Sequence, residues 1–160
     1  MRILFRKNSP GFFSWAIRTA SGSIYSHVEI QPYGESCISS SEQDGGVRWA
    51  SWISGNPEKW DIYEVIGFGM SSPWFTPEYE LKVIDWCNAQ VGKKYDWRGI
   101  LQWANPFAKN RSGDLDKYYC SEFCQRGLGL VHWILLDHLV TRPGDLHKLL
   151  LELKLIRKVA

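Results

Sequence analysis

The sequence predicts an α+β fold, a mainly antiparallel sheet packed with helices, and three observations predict it. Short runs in the first half alternate apolar and polar residues, the period of a half-buried strand. After Pro73 the period lengthens to that of an amphipathic helix. Strands therefore gather in the first half and helices in the second, the order expected of an α+β domain rather than of alternating βαβ units. With 160 residues, the chain suits a single domain spanning residues 1–160 that buries a full core without metals or disulfides.

Residues 3–6 predict a first strand. Pro10-Gly11 opens a helix over 12–20, which Ser21-Gly22-Ser23 ends. Alternation over 24–31, a turn at Pro32-Tyr33-Gly34 and a returning strand over 35–40 predict a hairpin. Asp44-Gly45-Gly46 turns the chain into a strand over 47–50, and 60–66 alternates as another. Thr76-Pro77-Glu78 is a helix start, with threonine as N-cap and proline at the first helical position, and the helix runs to about residue 89. Residues 91–96 read as a loop, 97–104 as a short helix, and the polar segment 107–117 as a mobile loop. A helix follows over 120–128, then an apolar stretch over 131–140. Residues 151–159 suit helix or strand, with strand preferred.

Composition excludes several function classes. The net charge is +2, without a basic run or a basic stripe interleaved with aromatics, so nucleic acid is not an expected partner. The start of the chain is too short and too charged for a signal peptide, and no window is long enough for a membrane span. The expected location is therefore cytoplasmic as synthesised. The apolar tail over 149–155 reads as a terminal core element in preference to a membrane contact. Nine Trp, seven Tyr and seven Phe predict an aromatic-stapled core in preference to a ring-lined groove. Oligomeric state has no signature.

Four cysteines are too few for a secreted disulfide scaffold and are expected as free thiols. Cys37 on a strand and Cys87 on a helix read as structural. Cys120 is different. In Tyr118-Tyr119-Cys120-Ser121-Glu122-Phe123 it stands in the first turn of a helix, where unpaired amides and the helix dipole favour a thiolate and can donate to an oxyanion. In Tyr25-Ser26-His27-Val28-Glu29-Ile30, His27 is the imidazole that would hold that thiolate. Glu29, two residues on, shares its strand face and is the first choice to orient it. Ser39, across the hairpin, is the alternative. Cys124 shares a helix face with Cys120 but reads as a core residue. His132, His138 and His147 have no ligand-like spacing, so neither a metal nor another cofactor is expected.

These segments, with Gly92-Lys93-Lys94-Tyr95-Asp96-Trp97 and Thr141-Arg142-Pro143-Gly144-Asp145-Leu146, resemble the circularly permuted papain-like cysteine hydrolases. These are the YiiX-like and lecithin:retinol acyltransferase-like branch of the NlpC-type superfamily. The resemblance spans residues 12–146 and rests on motif order, histidine strand before cysteine helix. It implies a permuted papain-like fold, Cys120 as nucleophile and His27 as base. It also implies a third polar residue about a dozen positions after the histidine, where this chain has Ser39. Tyr95 and Asp96 match a motif near the groove, with a structural role expected. The implied activity is amide or ester hydrolysis, or acyl transfer, through an acyl-enzyme on a small-molecule, peptide or acyl substrate. The rival readings are a catalytically silent binding module for cell-wall or lipid fragments, and a thiol redox or metal protein using Cys120 and Cys124.

Overall fold

The computed structural model describes residues 1–32, 36–51, 58–66, 77–102, 116–130 and 142–159. Within them the chain runs β1 (Arg2–Lys7), α1 (Phe12–Ser21), β2 (Tyr25–Gln31), β3 (Cys37–Ser41), β4 (Gly46–Ala50) and β5 (Trp60–Val65). It continues with α2 (Pro77–Gln90), β6 (Lys94–Tyr95), α3 (Trp97–Gln102), β7 (Lys117–Tyr118), α4 (Cys120–Gly129), α5 (Pro143–Glu152) and β8 (Ile156–Lys158). The described strands form one sheet in the order β7-β6-β4-β3-β2-β1-β5-β8. Every neighbouring pair is antiparallel except β6 and β7. The α+β class and the mainly antiparallel sheet expected from the sequence are thus present.

Alternation in β1 and β2 divides the sheet into two unlike faces. Phe5 lies opposite Val28 and Ile3 opposite Ile30, and all four are fully buried. They join Ile38, Val47, Tyr63 and Val65 in the main core, closed by Val83 and Cys87 of α2, Phe123 and Leu128 of α4, and Leu146 and Leu150 of α5. Each such side chain contributes about 1.5–3 kcal/mol by leaving water. The intervening residues include Leu4, which packs with Cys37, Trp60 and Ile62 in a smaller cluster, and Glu29 opposite it. Buried aromatics such as Phe5, Trp60, Tyr63 and Phe123 fit the core reading, but Phe12, Phe13, Trp15 and Trp97 are exposed.

Three local outcomes differ from the sequence reading or refine it. Residues 91–96 were expected as loop, yet Lys94 and Tyr95 pair with Gly46 of β4 and with β7. Two residues are too short to show alternation. The helix α5 begins at Pro143, where the Asp145 carboxylate accepts from the Arg142 backbone N–H as half of a capping box. The Arg142 guanidinium also bonds the Ala20 carbonyl, tying α5 to the end of α1. Residues 151–159 divide between the end of that helix and β8, so the preferred strand holds for Ile156–Lys158. Thr76, the end of the 97–104 helix, the stretch 131–140 and most of 107–117 lie outside the described residues. Among the described residues no helix is long and apolar enough to cross a membrane.

Candidate active site

The position of Cys120 follows from how α4 is seated. Tyr119 is extended, and the Tyr118 carbonyl before it accepts from the Ser40 hydroxyl at 2.5 Å and the Asp96 amide at 3.0 Å. The chain therefore enters α4 from a fixed point beside β3 and β6. Farther along, Gly127 allows close approach: a Cβ there would stand 3.2 Å from Ile30 Cδ1 and 3.3 Å from the Trp86 ring. Between these anchors the Cys124 thiol donates to the Val28 carbonyl at 3.6 Å. Cys120 is one helical turn earlier, and its thiol comes beside the imidazole of His27, the residue before Val28.

His27 is held from its other side. Its Nε2 lies 3.0 Å from Glu29 Oε1. The same carboxylate oxygen accepts from Arg48 Nη2 at 3.0 Å, and Arg48 Nε donates to Asp44 at 2.8 Å. A chain of alternating charge thus runs from the β3–β4 turn to the imidazole beside Cys120: Asp44, Arg48, Glu29, His27. Glu29 is 1% exposed, where a carboxylate persists only with such partners. Burial alone would raise its pKa, yet His27 and Arg48 together hold it below the usual carboxylate range.

The electrostatics of His27 favour the cation. Burial opposes protonation, but Cys120 and Glu29 beside the ring together outweigh it, and the pKa is pushed up to about 9. Burial drives Cys124 well above the ordinary thiol range and Cys87 up to about 12. All four cysteines are free and buried.

The structure therefore brings Cys120, His27 and Glu29 together. Ser39 is placed otherwise: its hydroxyl donates to the Val28 carbonyl at 2.7 Å, and none of its hydrogen bonds among the described residues reaches His27. Among the described residues, Ile30 and Ile38 are the one registered pair between β2 and β3, and the Ser39 hydroxyl bridges to β2 beside it. Asp96 accepts from the Gly99 amide at 3.0 Å and so caps α3, the structural role expected of it. Arg48 went unnoticed in the sequence. Its signal was the four-residue interval from Asp44, but its reach to Glu29 passes across β3, which no local pattern records.

His27 and Glu29 line a cleft of about 110 Å³ with Arg6, Ser26, Glu42 and Tyr95 among its walls. The lining is largely polar. Among the described residues no group of three or more His, Cys, Asp or Glu side chains is arranged to hold a metal ion. No family model matches this sequence, and no curated protein matches it either.

Proposed function

We propose that the protein is a cysteine hydrolase or acyltransferase with a permuted papain-like fold. The observation that carries this reading is the continuous contact from Cys120 through His27 to Glu29, with the imidazole biased toward its cation. In the proposed cycle the Cys120 sulfur attacks an amide or ester carbonyl, forming a carbon–sulfur bond. The first-turn amides of α4, beginning with that of Cys120, donate to the oxyanion. As the carbon–nitrogen or carbon–oxygen bond breaks, His27 gives its proton to the leaving group. Water, or an acceptor alcohol or amine, then adds to the thioester while His27 takes its proton. Expulsion of the sulfur restores the ion pair. Glu29 touches no reacting atom: it positions the ring and supports its charge, as Arg48 in turn positions Glu29. The chemistry calls on no cofactor.

The test is formation of the acyl-enzyme. With p-nitrophenyl acetate, a burst of nitrophenolate and a mass increase of one acetyl group on Cys120 are expected, followed by slow deacylation. Absence of acetyl on Cys120, with unchanged ester cleavage in Cys120→Ala, would overturn the reading. Retained binding of a cell-wall or lipid fragment without acylation would instead favour the silent binding module.

A further inference from the structure

We infer that the cleft beside His27 contains an anion-binding subsite, built from the Arg6 guanidinium and the Ser9 and Ser26 hydroxyls, that takes a carboxylate or phosphate group of the substrate. Its bearing on catalysis rests on the proposed thiol hydrolase, but the subsite stands on its own observations. Seven buried side-chain polar atoms have no hydrogen-bond partner among the described residues, and four of them belong to residues lining this one cleft: the donors Ser9 Oγ, Ser26 Oγ and Arg48 Nη1, which an anion can satisfy, and the acceptor Glu29 Oε2, which it cannot. Buried polar groups are ordinarily satisfied, so their concentration here marks a place where a polar ligand supplies the missing bonds. Ser9 and Ser26 are 6% and 4% exposed, and each can donate a hydrogen bond.

Arg6 supplies the sign. It lies directly opposite His27 in the β1–β2 register, its guanidinium stands over the Trp60 ring at 5.8 Å, and it has no carboxylate partner among the described residues. A guanidinium held by its stem and by a ring face keeps its forked donors for a planar or tetrahedral oxyanion. The carboxylates of the cleft do not cancel it. Glu29 meets both His27 and Arg48 through Oε1, and these two cations offset its charge although Oε2 has no partner among the described residues; Glu42 stands in the β3–β4 turn, with β2 and β3 between that turn and β1. The cleft thus sets Arg6, His27 and Arg48 against Glu29 and Glu42, a small positive excess that suits one anionic group beside His27 rather than a polyanion.

The experiment compares alkylation of Cys120 by iodoacetate and by iodoacetamide. The ratio of the two rates cancels the reactivity of the thiol and isolates the preference for an anion. It is expected to fall about five- to tenfold in Arg6→Gln and by a smaller factor in Ser26→Ala. Inorganic phosphate and acetate, added separately, should slow iodoacetate in the wild type and not in Arg6→Gln, and the stronger protector identifies the class of anion. An unchanged ratio in Arg6→Gln, with neither anion protecting, would overturn the subsite while leaving the thiol reading intact. If Cys120 resists both reagents, the thiol reading fails instead. The subsite is then decided by NMR titration of Cys120→Ala with phosphate and acetate. Shifts at the Ser26 amide that vanish with Arg6→Gln support it, and their absence overturns it.

Discussion

His27 and His147 both carry a hydrogen-bonded ring on the sheet, and the structure drives their titrations in opposite directions. His147, on α5, packs against the rings of Phe5 and Tyr25 at 5.0 and 4.6 Å, and its Nε2 meets the Tyr63 hydroxyl at 2.7 Å. Burial pushes it down, nearby Lys158 adds to that, and Asp61 opposes without prevailing. His27 is half-buried, yet it lies beside the Glu29 carboxylate and Cys120, and it is pushed up to about 9. A neutral hydroxyl satisfies an imidazole without favouring its cation. A counter-charge in contact does favour it, and it separates a histidine equipped for proton transfer from one that packs.

The largest effect expected from breaking this contrast is at the dyad. Cys120→Ala should abolish acyl-enzyme formation, and His27→Ala should slow it by about 10²-fold or more at neutral pH, read from burst kinetics. His147→Phe, which keeps the ring and removes the hydroxyl partner, should leave the burst unchanged. Next comes Glu29→Gln. It retains a hydrogen-bonding oxygen but leaves Arg48 facing no charge at that position, so it should destabilise the fold by about 3 kcal/mol in urea and lower the His27 titration midpoint measured by NMR.

A smaller effect is the pH dependence of stability, and its sign differs at the two sites. The folded state holds the His27 proton more tightly than the unfolded chain does. Its contribution is therefore complete below about pH 6.5 and is lost as pH rises through about 9. His147 has a depressed folded pKa, so its contribution is present above about pH 6.5 and declines as pH falls below that. Subtracting His27→Ala from wild type in urea melts across pH 5 to 10 should give a falling difference, and the same subtraction for His147→Phe a rising one. The smallest effect is at Cys124→Ala. It removes one weak hydrogen bond to the Val28 carbonyl and a little packing, about 1 kcal/mol, with the Cys120 burst preserved.

The same contrast explains what was legible in the sequence. The strands β1, β2 and β5 and the helices α1, α2 and α4 announce themselves by period and by Gly or Pro punctuation. His27 and Glu29 share a strand face by the two-residue period, and Cys120 shows itself by its place in a helix's first turn. What stayed hidden is long-range. Arg48 reaches Glu29 across an intervening strand, Tyr63 meets His147 from 84 positions away, and β6 is a strand only because β4 and β7 border it. Ser39 looked suitable by spacing alone, but among the described residues β2 and β3 register at one position, and beside it that hydroxyl donates to the Val28 carbonyl.

All four thiols are buried, so exposure does not choose among them, and selective reaction reports activation. The most direct measurement is therefore the rate of iodoacetamide alkylation at each cysteine between about pH 5 and 8, resolved by peptide mass spectrometry in the wild type and in His27→Ala. Preferential labelling of Cys120, lost in His27→Ala, is the predicted result. Equal and slow labelling of Cys37, Cys87, Cys120 and Cys124, or a preference for Cys120 that survives removal of His27, would contradict the account.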